Sequence, residues 1–79
     1  MVLEKVIHGY EVTLDTDTEG AGDDFPERVT GCWINREDLS GSLEWLLAYG
    51  SLEDSDGRVF PVSEHTIDII DSWALANGY

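Results

Sequence analysis

The sequence predicts an α+β domain, in which a small, mainly antiparallel three-stranded sheet carries two helices on one of its faces. Two segments in the first half alternate apolar and polar residues, which is typical of strands that bury one face. Two later segments repeat apolar residues at helical spacing, with a short strand between them. The order is β-β-α-β-α, and a length of 79 residues indicates one domain over residues 1–79.

The first two predicted strands are Lys5–Leu14 and Arg28–Ile34. In the second strand, Trp33 and Cys32 fall on opposite faces because successive strand residues alternate. Between the strands, residues 15–27 contain six carboxylates, two glycines and no base. This composition and length predict a long acidic loop, and such loops are usually functional or mobile. In the first strand the better-buried face takes every second residue, namely Val6, His8, Tyr10, Val12 and Leu14.

The first predicted helix is capped by Asn35 and stopped by Gly50. Gly41 is its weak point, since a glycine inside a helix costs about 1 kcal/mol relative to alanine. A helix that begins only near Ser42 therefore stays open as an alternative. The apolar positions at helical spacing are Leu39, Leu43, Leu46 and Leu47.

A predicted turn at residues 53–57 leads into the third strand, Arg58–Val62. Pro61 has no N–H to donate to a neighbouring strand, so this strand lies at a sheet edge or ends there. Ser63 is the predicted cap of the last helix, and Gly78 ends it. The predicted buried face of that helix consists of Ile67, Ile70, Trp73 and Ala74.

Charge is the most unusual property of the chain. Seventeen carboxylates face four bases, which gives a formal net charge of −13. Direct binding of nucleic acid is excluded by this balance, because such binding requires cationic side chains that displace counterions. An anionic membrane is disfavoured for the same reason. The charge indicates a basic protein as partner, and solubility or an acid-rich proteome is the alternative explanation.

The acidic residues fall into three clusters that we predict to contact this partner. Two exposed tyrosines, Tyr49 and Tyr79, are predicted to anchor the contact, since interface hot spots favour aromatic residues. The loop cluster comprises Asp15, Asp17, Glu19, Asp23, Asp24 and Glu27; the turn cluster comprises Glu53, Asp54 and Asp56; the helix cluster comprises Glu64, Asp68 and Asp71.

Catalysis, metal binding and cofactors are not predicted. Cys32 is the single cysteine, so it forms no internal disulfide. A Cys32–His8 pair is conceivable, but a lone strand cysteine is more often a small core residue. Residues 15–20 match the first half of an EF-hand loop, whereas Gly22 and Pro26 replace the required apolar residue and glutamate. Weak divalent-cation binding by residues 15–27 stays open.

In size, single-domain organisation, acidity and absence of catalytic motifs, the chain resembles the small anti-CRISPR proteins of phages and mobile elements. The resemblance implies stoichiometric inhibition, in which the protein acts as a DNA mimic on a basic surface of a bacterial CRISPR-Cas effector complex. The resemblance does not assign a role to any individual residue. An immunity protein or antitoxin that neutralises a basic nuclease fits the same features, and so does a small phage structural or assembly protein. The lack of a signal peptide or a long apolar run predicts a cytoplasmic location.

Overall fold

The computed structural model describes residues 2–17 and 28–79, and this part of the chain contains six strands and two helices. The strands form one antiparallel sheet in chain order, so that each strand pairs with its neighbours in sequence. The predicted three-stranded sheet is therefore wrong, although the α+β class and the two helices are present. The elements are β1 (Val2–Ile7), β2 (Tyr10–Asp17), β3 (Arg28–Arg36), β4 (Leu39–Ser42), α1 (Leu43–Tyr49), β5 (Ser51–Glu53), β6 (Val59–Pro61) and α2 (Glu64–Ala76).

The single strand predicted at Lys5–Leu14 is a hairpin of β1 and β2. Its turn consists of His8 and Gly9, whose φ angles are 51° and 83°. Two-residue hairpins favour positive φ at both turn positions because this backbone twist matches that of the strands. The turn also reverses the alternation, so that Ile7 and Tyr10 face each other and are both buried.

The helix predicted to start at Asn35 is also wrong in its first half. Asn35 lies in β3 and pairs with Ser40 of β4, across a two-residue turn at positions 37–38. Gly41 belongs to β4, and a Cβ atom there would lie 2.8 Å from Leu52 Cδ2. The absence of a side chain at this position therefore lets β4 lie against the core.

The shorter alternative for this helix is confirmed. The Ser42 side chain caps α1 by accepting a hydrogen bond from the Trp45 amide, at 3.1 Å. Gly50 ends the helix in the left-handed conformation, with φ of 67°, and its amide donates to the Leu46 carbonyl. The chain then enters β5, a strand that the sequence did not predict.

The last part of the chain follows its prediction closely. β6 is the edge strand of the sheet and ends at Pro61. The Ser63 hydroxyl caps α2 by accepting from the Thr66 amide. Beyond the helix, Gly78 has φ of 100°, and the amides of Gly78 and Tyr79 donate to Leu75 and Ala74. These two bonds satisfy carbonyls that the end of a helix otherwise leaves unpaired.

The core lies on one face of the sheet. Val12 and Leu14 of β2 face Ile34 and Cys32 of β3, and all four are buried. The helices close the same cluster with fully buried leucine and isoleucine side chains, each worth about 1.5–3 kcal/mol of transfer free energy. These helical residues are Leu43, Leu46 and Ile70. Neither of the two helices in the described part of the chain packs on the opposite face of the sheet.

Candidate acidic interaction surface

The three carboxylates predicted on the last helix lie along one side of α2. Glu64 and Asp68 are exposed and Asp71 is partly exposed, whereas Ile67 and Ile70 are buried in the core. Residues separated by four and then three positions are neighbours on a helix, about 5–6 Å apart. The helix therefore presents these carboxylates to solvent as a short row of negative charge.

The turn cluster divides into residues of different roles. Asp54 Oδ1 accepts hydrogen bonds from the amides of Asp56 and Arg58, at 2.9 and 2.8 Å, and so holds the turn between β5 and β6. Asp56 is exposed. Glu53 was predicted in the turn, but it lies in β5. There it faces Ser40 and Val59 on the neighbouring strands.

The loop cluster is only partly within the described residues. Asp15 and Asp17 were predicted in the loop, but they belong to β2, which ends at Asp17. The strand therefore extends three residues beyond its predicted end at Leu14. The four remaining residues predicted for this cluster lie outside the described residues: Glu19, Asp23, Asp24 and Glu27.

The face of the sheet that points away from the helices is called the open face here. Its residues follow from the strand register, because the side chains of directly paired residues share a face. Three rows cross the sheet: Val2, Asp15 and Gly31; Glu4, Thr13, Trp33 and Ser42; and Val6, Glu11, Asn35, Ser40, Glu53 and Val59.

The open face carries charge of one sign among the described side chains. Its four carboxylates are those of Glu4, Glu11, Asp15 and Glu53. Lys5 and Arg36 pair with Val12 and Leu39, which belong to the other face, and the Arg36 guanidinium lies 4.9 Å from the Tyr10 ring centroid. Arg58 lies in the turn before β6. The described side chains therefore make the potential over the open face negative.

Trp33 lies near the middle of the open face and is 49% exposed. Its indole Nε1 donates to Asp15 Oδ2, at 2.7 Å. The ring extends over Gly31, where a Cβ atom would lie 3.2 Å from Nε1 and 3.4 Å from Cε2. Gly31 thus leaves room for the flat indole, and Asp15 fixes its direction.

A second indole lies beside this face, at the start of α1. Trp45 borders a shallow depression of about 180 Å³ together with Ser40, Ser42 and Glu53. Its Nε1 is buried, and within the described residues it has no acceptor. A buried donor without a partner is uncommon in folded proteins.

The two tyrosines predicted as anchors lie outside the strands that form the open face. Tyr49 is 66% exposed and its ring packs against Trp45, with 4.2 Å between ring centroids. Tyr79 follows α2, and burial, together with Cys32, Glu44 and Asp71, raises the pKa of its phenol. Tyr49 is the more accessible of the two, and neither position tests the anchoring prediction.

Cys32 is a core residue with an unreactive environment. It is 2% exposed, and burial and the nearby Asp15 carboxylate raise its thiol pKa to about 11. A reactive thiolate requires a lowered pKa. The conceivable partner His8 lies in the β1–β2 turn, where its Nδ1 is 2.8 Å from Thr66 Oγ1. The structure does not bring His8 and Cys32 together. Cys32 pairs with Leu14 of β2, whereas His8 lies in the turn before β2, six residues earlier in the chain.

Comparisons with known proteins found no similarity: no family model, no curated protein and no solved structure matches this chain. Over residues 2–17 and 28–79, no three histidine, cysteine, aspartate or glutamate side chains come together as metal ligands. In the same part of the chain, neither helix has the length and apolar character to cross a membrane.

Three residues of the open face were missed by the sequence prediction: Glu4, Glu11 and Trp33. The signal that could have located Glu4 and Glu11 is the His8-Gly9 pair, since a glycine inside a strand pattern often marks a turn. No local signal places Trp33 beside Asp15, because the two residues are 18 positions apart.

Proposed function

We propose that this protein is a stoichiometric inhibitor that binds a basic, nucleic-acid-binding protein surface and excludes nucleic acid from it. The observation that carries the proposal is the separation of the carboxylates onto several solvent-facing parts of one small fold. They lie on the open face, in the Asp54–Asp56 turn and along α2. A protein groove that binds nucleic acid carries lysine and arginine for the phosphates, and the same side chains attract this surface.

The proposed partner is a bacterial CRISPR-Cas effector complex, on the basis of the resemblance to anti-CRISPR proteins, and the proposed location is the cytoplasm of the host cell. Binding in place of target DNA requires no catalysis, metal or cofactor from this chain. The row of Glu64, Asp68 and Asp71 supports mimicry of a nucleic-acid strand, since its carboxylates repeat at a pitch comparable with that of successive phosphates.

Competition with DNA tests the proposal. A purified effector complex is incubated with labelled target DNA, and increasing amounts of this protein are added before electrophoresis. We expect loss of the DNA complex near one inhibitor per binding site, with weaker inhibition as the salt concentration rises. Retention of all DNA by each effector type tested, at a large molar excess of inhibitor, would refute the effector as partner.

Two matched variants separate contact from overall charge. Asp68→Asn on α2 and Asp38→Asn in the β3–β4 turn each remove one exposed carboxylate and one unit of charge. We expect Asp68→Asn to weaken inhibition more than Asp38→Asn does. Equal effects would argue against a specific role for the α2 row. The same assay with a nuclease toxin tests the immunity-protein alternative, and a phage structural protein is inactive in both assays.

A further inference from the structure

We propose that the open face is a second docking surface for the basic partner, in addition to the α2 row, and that it binds arginine side chains over the Trp33 indole. This inference rests on the proposed function, since it specifies a further part of the chain that meets the partner and the chemistry of that contact. The supporting observations are the exposure of the face, the fixed orientation of Trp33, and the placement of carboxylates around it.

Within residues 2–17 and 28–79 no helix packs on the open face, and the face has exposed apolar side chains. Three valines on it are more than half exposed: Val2 at 53%, Val6 at 66% and Val59 at 59%. Together with Trp33 they account for four of the nine large apolar side chains that are exposed within the described residues. The valines lie on the two edge strands, β1 and β6, so Trp33 is an exposed apolar side chain near the centre of the face, with polar residues around it.

Trp33 is prepared for binding before a partner arrives. The hydrogen bond from Nε1 to Asp15 and the open space over Gly31 hold the ring flat in one orientation. The Trp33 side chain therefore loses little conformational entropy when the partner binds. This entropy loss is one of the main terms that oppose association. Tryptophan is also one of the residue types that are enriched at interface hot spots.

The register places a carboxylate at each of the two diagonal neighbours of Trp33 on β2, and the ring extends towards one of them, Asp15. Thr13 of β2 is directly opposite Trp33, and Glu11 and Asp15 are two residues before and after Thr13. Diagonal neighbours of this kind are about 7–8 Å apart between strands, within reach of long side chains. A cation that stacks on the indole therefore lies beside the Asp15 carboxylate, and the Glu11 carboxylate is at the other diagonal position on the same face.

This arrangement favours arginine over the other possible occupants. The guanidinium is planar, stacks on aromatic faces and presents several N–H donors at its edge, where carboxylates accept them. The lysine ammonium is a compact charge without a planar surface, so it cannot stack on the indole in the same way. A second copy of this chain is disfavoured, since its own open face would bring a second set of carboxylates against the first.

Peptide titration of the complete protein tests the inference. A hexa-arginine and a hexa-lysine peptide of equal charge are added at low salt to ¹⁵N-labelled protein, and amide and indole shifts are followed by NMR. We expect the Trp33 indole and the amides of β1, β2 and β3 to shift most. We also expect hexa-arginine to bind more tightly than hexa-lysine, by up to about fivefold, because an exposed cation–π contact contributes at most about 1 kcal/mol and lysine can form one as well.

Three variants make the test specific. Trp33→Leu keeps an apolar side chain without a ring, and we expect it to remove the preference for arginine; circular dichroism and thermal unfolding check its fold. Glu11→Gln and Glu64→Gln remove the same charge from the open face and from α2, so Glu11→Gln should weaken hexa-arginine binding more. Equal effects of these two variants, equal binding of both peptides, or shifts centred on α2 would each overturn the inference.

The outcome is separable from that of the proposed function. If the wild-type protein displaces DNA from an effector and Trp33→Leu does so equally well, the proposed function stands and the open-face inference fails. If the peptides bind as described but DNA remains bound to every effector tested, the proposed function fails and the arginine-binding face stands.

Discussion

The substitution Gly41→Ala distinguishes the observed fold from the helix that the local sequence suggests. If residue 41 were inside a helix, alanine would stabilise the protein by about 1 kcal/mol. In the structure, residue 41 lies in β4, and the new Cβ would lie 2.8 Å from Leu52 Cδ2. Leu52 is fully buried, so it has little space into which to move.

The expected effect is the difference of two terms. Overpacking of this kind costs about 1–3 kcal/mol. Alanine also reduces the conformational entropy of the unfolded chain, which stabilises the folded protein by about 0.4–1 kcal/mol. We therefore expect Gly41→Ala to lower the free energy of unfolding by about 1 kcal/mol, which corresponds to a fall of about 4–8 °C in Tm for a domain of this size.

Urea unfolding followed by circular dichroism measures this change. Ser40→Ala, at the exposed neighbouring position, serves as the control and should alter stability little. The double variant Gly41→Ala/Leu52→Val should be less destabilised than the sum of its single changes, because valine makes room for the new methyl group. An increase in stability on Gly41→Ala, or strict additivity in the double variant, would refute the β4–β5 packing.

Four further predictions concern the core, a helix cap and the thiol. Leu46→Ala should lower the free energy of unfolding by about 2–5 kcal/mol, and the half-exposed neighbour Leu47→Ala by much less, as measured by denaturant unfolding; similar losses would contradict the orientation of α1. Ser63→Ala should cost about 0.5–2 kcal/mol through loss of the α2 cap, whereas Ser72→Ala, exposed inside the same helix, should have little effect. Cys32 should react with a thiol reagent only after unfolding, and rapid reaction of the native protein would disprove its burial. Because folding raises the Cys32 pKa from 9.0 to about 11, its contribution to stability is complete below pH 9, and urea unfolding at increasing pH should detect its loss towards pH 11.

Several features of the fold were predictable because they depend on neighbouring residues. The Ser63 cap, the Gly50 and Gly78 helix ends, and the turn before β6 each involve groups within five residues of one another. Hydrogen bonds over such distances are encoded in short sequence patterns. This is why the second half of the chain was predicted more accurately than the first.

The errors arose where two structures share one pattern. Leu39, Leu43 and Leu46 fit a helical repeat, but Leu39 packs against the core from β4 and the other two from α1. Apolar spacing alone does not separate a strand followed by a helix from one longer helix. The contact of Gly41 with Leu52, across two strands, decides between them.

The candidate site shows the same division. By itself the sequence determined the net charge of −13, the scarcity of bases and the carboxylate row on α2, since these depend on composition or on helical spacing. Only the tertiary structure placed Glu11 and Asp15 diagonally opposite Trp33, on a face against which neither described helix packs. The physical reason is that strand pairing joins residues distant in sequence, and a shift of register by one residue exchanges the two faces of a strand.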